Sequence, residues 1–86
     1  MVREFVSCLC YRLVAAIPKQ YKTIGNTIRH YRKEAGLSQE KLAELADLHP
    51  NYVGEIERAE QMVSLLALFR IAAALKVRVR ELVADI

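Results

Sequence analysis

The amino-acid sequence predicts an all-α protein, in which five helices form one compact domain and an amphipathic segment precedes them. Turn-forming residues are scarce, because the 86 residues include only three glycines and two prolines. Alternating β-branched runs are also scarce, and Ala, Leu, Glu, Lys and Arg dominate. Apolar residues recur at steps of three and four, the period of a helix face. A chain that is 53% hydrophobic and 27% charged is globular, and its length suffices for one domain.

Residues 1–22 are predicted to be an N-terminal extension, separate from a domain at residues 23–86. Apolar residues recur along the extension with helical spacing at Phe5, Val6, Leu9, Leu13, Val14 and Ile17. Pro18 disfavours helical geometry at the residue before it, so residues 19–22 are expected to form a linker. Three roles stay open for this segment: a helix packed on the domain, a dimerising helix, or residues added by an upstream start codon.

The first helix of the domain is expected to begin after Thr23, a suitable N-cap, and to end at Gly36, which tolerates a left-handed conformation. Its apolar face is formed by Ile24, Ile28, Tyr31 and Ala35. Ser38 then caps a short second helix, with Glu40 in the first turn, where the helix dipole favours an anion. The predicted buried residues of this helix are Leu42, Ala43, Leu45 and Ala46. Asp47–Leu48 is expected to form a tight connection.

The third helix is predicted at about residues 50–58. His49 occupies its N-cap, and Pro50 its first position, where the missing N–H costs nothing. Val53 and Ile56 are expected to point inward. Gly54 lies in the middle of the helix, at a cost of up to ~1 kcal/mol relative to alanine. A glycine there indicates close packing or the close approach of something outside the protein.

Two more helices complete the predicted domain. Ala59–Val63 is expected to be a loop, and Ser64 to cap the fourth helix. The predicted buried stripe of that helix is Leu65, Leu68, Phe69, Ala72 and Leu75. The last helix carries Val79, Leu82 and Val83. Its N-cap position is occupied by Arg78, a poor capping residue.

The net charge of +3 is compatible with a nucleic-acid partner, but the extension holds all of the excess. Residues 1–22 contain four basic and one acidic side chains. Residues 23–86 contain nine of each sign. Any basic surface of the domain must therefore come from the arrangement of its side chains.

Cys8 and Cys10 are predicted to be free thiols in the cytoplasm. A disulfide across one intervening residue would be strained, and His30 and His49 do not supply the spacing of a metal site. We therefore expect no metal and no other cofactor. No stretch is long enough to span a membrane, and Arg12 interrupts the only apolar run suggestive of a signal peptide, so export is not expected.

Two short helices joined by a tight turn can hold the second helix at the angle that enters the major groove of DNA. The stretch IGNTIRHYRKEAGLSQEKLAELADLHPNYVGEIERAEQ is followed closely by SLLALFRIAAALKVRVRELV. Together they resemble the phage-repressor and Cro-like (XRE-type) helix-turn-helix family, over about 60 of the 86 residues. The most specific words are LSQEKLA and YVGEIER, with IAAALKV at the expected distance. The resemblance implies five helices, of which the second and third bind DNA.

The resemblance also implies a base-reading surface on the outward face of the third helix. Pro50, Asn51 and Glu55 match positions where family members contact base edges. Asn can bridge N6 and N7 of adenine, and Glu can accept from N4 of cytosine. Proline offers only an apolar contact, such as to a thymine methyl group. Glu40, Glu55 and Glu60 place negative charge near this surface.

Four further residues are expected to position the protein on the DNA without reading sequence. Gln39 matches the first residue of the family's second helix, which touches a phosphate and braces the recognition helix. Its place at a helix N-terminus favours a phosphate. Tyr52 matches a position where a phosphate contact is common. Lys41 and Arg58 are expected to supply further backbone contacts.

Three features of the resemblance concern how the third helix is held. Arg32 and Glu57 match an arginine–glutamate pair that ties the first helix to the end of the third, a structural role. Asp47 replaces the turn glycine, and aspartate adopts a left-handed conformation more readily than most residues. Ala59 stands where a glycine usually ends the recognition helix, so the helix either continues there or carries slight strain.

The predicted function is that of a transcriptional regulator, which binds double-stranded DNA as a homodimer with recognition helices about 34 Å apart. The alternative is a protein-interaction module, antitoxin-like or an accessory subunit, that keeps the fold but binds DNA weakly or not at all. An enzyme is not expected, because the sequence shows no nucleophile–base arrangement or glycine-rich phosphate loop. A small-molecule ligand is not expected either. Two dimer surfaces are possible: residues 75–86, the region that family members often use, and the N-terminal extension.

Overall fold

Five helices follow one another along the part of the chain that the structure, a computed structural model, describes, residues 17–84. They are α1 Lys19–Glu34, α2 Gln39–Ala46, α3 Pro50–Glu57, α4 Leu65–Leu75 and α5 Val79–Leu82. No strand occurs between residues 17 and 84, and the predicted all-α fold with five helices is confirmed. Residues 1–16 of the predicted extension, with Cys8 and Cys10, lie outside the described residues.

Helix α1 begins four residues before the predicted start. Its N-cap is Pro18, whose carbonyl accepts a hydrogen bond of 3.0 Å from the Tyr21 N–H. The predicted linker at residues 19–22 is therefore wrong, because those residues form the first turn of α1. Thr23 as N-cap is wrong as well, since it lies inside the helix and its carbonyl accepts from Thr27 Oγ1. The N–H groups at a helix start have no acceptor within the helix, so proline, which lacks an N–H, can begin a helix.

Four helices end in a residue of left-handed conformation: Gly36, Asp47, Ala59 and Lys76. After each, the next N–H bonds back across the last turn, as Glu60 N–H does to the Glu55 carbonyl at 2.8 Å. The left-handed conformation expected for Asp47 is confirmed, with φ of 58°. Ala59 has φ of 59°, so α3 stops there instead of continuing, and the alanine carries the strain that glycine would avoid.

The core lies between α1, α2 and α4, with α3 packed on both α1 and α2. Its buried apolar residues are Ile24, Ile28, Leu42, Ala43, Ala46, Val53, Ile56, Val63, Ala67, Leu68, Ile71, Ala72, Leu75 and Leu82. Helix α5 closes one side by packing on α4 and α1. The inward-pointing roles predicted for Val53 and Ile56 are confirmed, which leaves the opposite face of α3 exposed.

Three residues predicted to be buried are exposed, Leu45, Leu65 and Phe69, and so is Ala35, which was predicted to lie on the apolar face of its helix. Helix α4 is apolar on two faces, so its period alone cannot identify the inner one. The structure buries Leu68 and Ile71 and leaves Leu65 and Phe69 outside.

Between residues 17 and 84, no helix combines the length and the apolar character needed to cross a lipid bilayer.

Candidate nucleic-acid interface

The connection between α2 and α3 is three residues long and closed by backbone hydrogen bonds. The Leu48 N–H donates to the Ala43 carbonyl at 2.8 Å, and left-handed Asp47 turns the chain between the helices. The Asp47 carbonyl accepts from Arg70 of α4 at 3.4 Å. A turn this short gives α3 little freedom to rotate against α2.

The start of α3 is fixed by its cap. His49 is extended, and its Nδ1 accepts a hydrogen bond of 3.1 Å from the Asn51 N–H. Pro50 occupies the first helical position, so the predicted N-cap and the predicted helix start are confirmed. The capping bond holds the backbone of Asn51 while its exposed side chain stays free of hydrogen bonds within the described part of the protein.

The far end of α3 is held by a buried network centred on Glu57. Arg32 of α1 donates to both carboxylate oxygens of Glu57, from Nε at 2.7 Å and from Nη2 at 3.1 Å. Its Nη1 donates to the Leu37 carbonyl at 2.8 Å, in the connection from α1 to α2. Gln39, the first residue of α2, donates from Nε2 to Glu57 Oε1 at 3.0 Å. Arg32 and Glu57 are 8% and 7% exposed, so the expected pair is present and joins three helices inside the protein.

The outward faces of α2 and α3 enclose a shallow groove of about 260 Å³. It is lined by Gln39, Glu40, Pro50, Asn51, Gly54, Glu55 and Arg58. Five of the seven residues predicted to bind DNA therefore lie together along one surface. The groove holds the carboxylates of Glu40 and Glu55 and the guanidinium of Arg58, so it presents both donors and acceptors.

Two of the predicted DNA-binding residues do not line this groove. Lys41 is exposed and pairs with Glu44 at 3.4 Å. The Tyr52 hydroxyl oxygen accepts from the Ser64 N–H at 3.1 Å and lies 3.5 Å from the Met62 carbonyl. In this structure the tyrosine holds the loop between α3 and α4.

Arg58, the C-cap of α3, is fixed at the edge of the groove by Glu60. Its Nε donates to Glu60 Oε2 at 3.0 Å, and its Nη2 donates to Glu60 Oε1 at 3.2 Å. These hydrogen bonds and the opposite charge lower the pKa of the Glu60 carboxyl and raise the pKa of the Arg58 guanidinium. Both side chains are 55% exposed, so solvent screens the pair.

Two glycines matter more for the site than the sequence indicated. A Cβ on Gly54 would lie 3.0 Å from Arg58 Nη1 and 3.1 Å from Gln39 Oε1, so both side chains rest on the bare backbone of α3. A Cβ on Gly25 would lie 2.4 Å from the Ile56 carbonyl oxygen, where α1 crosses the end of α3. The mid-helix position of Gly54 was a readable signal of close approach. Gly25 also lies inside a predicted helix, so its position indicates a close approach in the same way.

The comparison with protein families decides the identity of this arrangement. A helix-turn-helix family model matches residues 28–82, from the middle of α1 to the end of α5. The chain belongs to this family of DNA-binding transcription regulators. The resemblance identified from the sequence is confirmed. Helices α2 and α3 are its helix-turn-helix, and α3 is the recognition helix.

Individual relatives support the assignment. The control protein C.SmaI of Serratia marcescens is 42% identical over 59 residues, which cover 69% of this chain and 70% of that protein. The crystal structure of the restriction-modification controller protein C.AhdI from Aeromonas hydrophila superposes with a TM-score of 0.74 at 40% identity. That match covers 76% of this chain and 98% of the controller. SinR, a master regulator for biofilm formation solved in complex with DNA, matches at 42% identity and a TM-score of 0.66, over 69% of this chain and 95% of the other.

Proposed function

We propose that this helix-turn-helix protein is a transcriptional regulator that binds double-stranded DNA sequence-specifically, as a homodimer, with α3 in the major groove. The observation that carries the proposal is the groove along the outward face of α3, in which side chains that recognise bases stand on a helix fixed at both ends. A recognition helix must keep its register to within a base pair, and the cap at His49 and the network at Glu57 supply that rigidity. Under this proposal the protein acts in the cytoplasm and catalyses no reaction.

The base-reading residues in this proposal are Pro50, Asn51 and Glu55. Asn51 would bridge N6 and N7 of an adenine, and Glu55 would accept from N4 of a cytosine. Pro50 would contact a thymine methyl group. Residues 23–86 carry nine charges of each sign, and the first turn of α1 adds only Lys19 and Lys22, so we expect specific contacts to contribute a large share of the binding.

Phosphate contacts are proposed to set the orientation of α3. Gln39 stands at the N-terminus of α2, where free N–H groups favour a phosphate, and it also braces Glu57. Lys41 lies two residues further along α2 with its ammonium group exposed. The Tyr52 hydroxyl can keep accepting from the Ser64 N–H while its O–H turns from the Met62 carbonyl, 3.5 Å away, to a phosphate oxygen. Truncating Lys41 should weaken binding about equally for all sequences.

The homodimer is proposed to form through the outer face of α4. Leu65, Leu66 and Phe69 share one face of this helix and are 65%, 60% and 52% exposed. Large apolar patches are uncommon on monomeric proteins, and a second copy would cover this one. Leu75 and Leu82, in the C-terminal region that the sequence offered as a dimer surface, are instead buried in the core.

The experiment that tests this function is selection from a random double-stranded DNA pool, followed by titration of the selected site at two salt concentrations. We expect two half-sites about one helical turn apart and binding that weakens as salt rises. An Asn51→Ala, Glu55→Ala double variant should lose or relax the motif. Glu34→Ala is the matched control, because it also removes one negative charge but lies outside the groove.

A folded protein that selects no motif would contradict this function. That result would favour the alternative of a protein-interaction module, and a pull-down would then be the next step. If the double variant selects the same motif as the wild type, the proposal of a transcriptional regulator stands, but Asn51 and Glu55 do not read the bases.

A further inference from the structure

We propose that Arg58 reads the edge of a guanine in the major groove, and that Glu60 is the positioning residue that aims it. The inference rests on the proposed function and adds a specificity-determining pair to it. The sequence placed Arg58 among the phosphate contacts and identified Glu60 only as a negative charge near the surface.

The guanidinium of Arg58 is held on two sides. Glu60 accepts from Nε and Nη2 at 3.0 and 3.2 Å, which fixes the plane of the group by two parallel hydrogen bonds. The side chain folds back along α3 over Gly54, where a Cβ would come within 3.0 Å of Nη1. An alanine at position 54 would push the guanidinium outward by a few tenths of an ångström.

The edge that stays free is the one that recognises guanine. With Nε and one Nη2 hydrogen engaged by Glu60, the edge formed by Nη1 and Nη2 makes no hydrogen bond with any described residue. This edge carries two parallel N–H donors. Guanine presents two acceptors, O6 and N7, side by side in the major groove, and the bidentate arginine contact to them is the commonest specific one.

Charge favours a base over a phosphate as the target. The carboxylate of Glu60 lies against Arg58 and cancels most of its positive charge, so the pair attracts a phosphate weakly and releases few counterions. A base edge is a neutral group, and its recognition depends on donor geometry. Arg58 also lines the groove that contains Pro50, Asn51 and Glu55, the surface proposed to face base edges.

The geometry arises from the left-handed residue that ends α3. Ala59 turns the chain back, and the Glu60 N–H bonds to the Glu55 carbonyl at 2.8 Å. This closed turn places the Glu60 side chain beside Arg58, two residues earlier, which a continuing helix would not do. The pair is thus held by the backbone as well as by its own hydrogen bonds.

The test uses the full chain and the site selected by the wild type. The relative affinity for every single-base substitution of that site is measured for Arg58→Ala, Arg58→Lys, Glu60→Gln and Gly54→Ala, beside binding to unrelated DNA. We expect Arg58→Ala and Arg58→Lys to lose the preference for guanine at one position per half-site, by about tenfold or more. Glu60→Gln should reduce the same preference severalfold while binding to unrelated DNA is unchanged or stronger, and Gly54→Ala should reduce the same preference severalfold.

A matched control and a folding check make the outcome decisive. Glu44→Gln removes a negative charge from an exposed ion pair on α2 outside the groove, and it should leave the base preferences unchanged. Circular dichroism and thermal melting identify any variant that fails to fold. Gly54→Ala is the informative second variant, because the contacts it meets are flexible side-chain ends and alanine favours a helix.

Two results would overturn the inference, and they are distinguishable. If Arg58→Ala weakens all sequences equally, Arg58→Lys restores binding and Glu60→Gln strengthens it uniformly, Arg58 contacts a phosphate. The selected motif and the dependence on Asn51 would then stand, so the proposed function would survive. If the wild type selects no motif at all, the proposed function fails, and this inference fails with it.

Discussion

At the scale of single residues, the position of the recognition helix depends on a buried charge. Glu57 accepts hydrogen bonds from Arg32 and Gln39, which belong to two other helices. Within the described residues, no buried side-chain polar atom lacks a hydrogen-bond partner, so the desolvation of this pair is compensated throughout. Removing one partner leaves the other charge buried without compensation, which is the costly case.

We therefore predict that Glu57→Ala lowers the free energy of unfolding by about 3–5 kcal/mol. Glu55→Ala is the control, because it truncates the same residue type two positions earlier where the side chain makes no hydrogen bond within the described residues, and it should change stability by less than about 0.5 kcal/mol. Urea titration followed by circular dichroism measures both. Equal losses for the two variants would show that the buried network does not hold α3.

The left-handed residue that ends α3 leads to a prediction of increased stability. Ala59 has φ of 59°, a conformation that alanine adopts with strain and glycine without it. Ala59→Gly should raise the free energy of unfolding by about 0.5–1 kcal/mol, since relief of strain exceeds the greater flexibility of glycine in the unfolded chain. Thermal melting checks this against Ala73→Gly, an exposed position inside α4 where glycine should destabilise by a similar amount. If Ala59→Gly melts at a lower temperature than the wild type, Ala59 is not strained in the folded protein.

At the scale of helices, the packing of α1 on α3 needs a glycine. A Cβ on Gly25 would lie 2.4 Å from the Ile56 carbonyl oxygen and 3.1 Å from Glu57 Cα, both rigid backbone atoms. Gly54 differs, because a Cβ there meets only the ends of the Arg58 and Gln39 side chains. The same residue type thus has a structural role in α1 and a role at the proposed DNA-facing surface in α3.

Gly25→Ala should destabilise the protein by about 1–3 kcal/mol, although alanine is the better helix former by up to about 1 kcal/mol. The clash pushes α3 away from α1, so DNA binding should weaken too. Asn26→Ala, at the exposed neighbouring position, tests the propensity effect alone and should be neutral or slightly stabilising. Chemical denaturation measures the stability of both variants. If Gly25→Ala proves more stable than the wild type, α1 and α3 can move apart without loss of stability, which contradicts this prediction.

Helix starts were predictable where a side chain caps them and not where a proline does. Ser38, His49 and Ser64 each accept a hydrogen bond from an N–H in the first turn, as the sequence indicated. Pro18 was interpreted as a break after one helix, yet it begins α1. The same residue suits both positions, so a local pattern alone cannot decide between them.

The candidate site was predictable as far as it depends on helix periodicity and family resemblance. The groove contains Asn51 and Glu55, which four-residue spacing places on one face of α3, and Pro50, which the family resemblance placed there. The Arg58–Glu60 pair was not predictable, because two residues at i and i+2 face apart in a helix. Only the left-handed turn at Ala59, a backbone conformation that glycine usually supplies, brings them together.

At the scale of the whole molecule, a second copy would strengthen the DNA binding of a protein with one short recognition helix. Residues 23–86 carry nine charges of each sign, and the first turn of α1 adds only Lys19 and Lys22, so general attraction to the phosphates is weak. Two linked recognition helices convert the second contact into an intramolecular one, which raises the overall affinity without new contacts per half-site. The exposed apolar face of α4 offers a surface on which such a dimer can form.

We predict that a Leu65→Glu, Phe69→Glu double variant shifts the protein from dimer to monomer, measured by light scattering. Two carboxylates in the centre of an apolar interface would have to be buried without partners. Leu45→Glu is the control, because it places a carboxylate at another exposed leucine, 51% exposed and on α2 instead of α4, and this variant should stay dimeric. The double variant should also lose the two-half-site motif while each half-site is still bound weakly. If it remains a dimer, the interface lies elsewhere, and removal of residues 1–16, which leaves the Pro18 cap of α1 intact, then tests the N-terminal segment as the dimerising element.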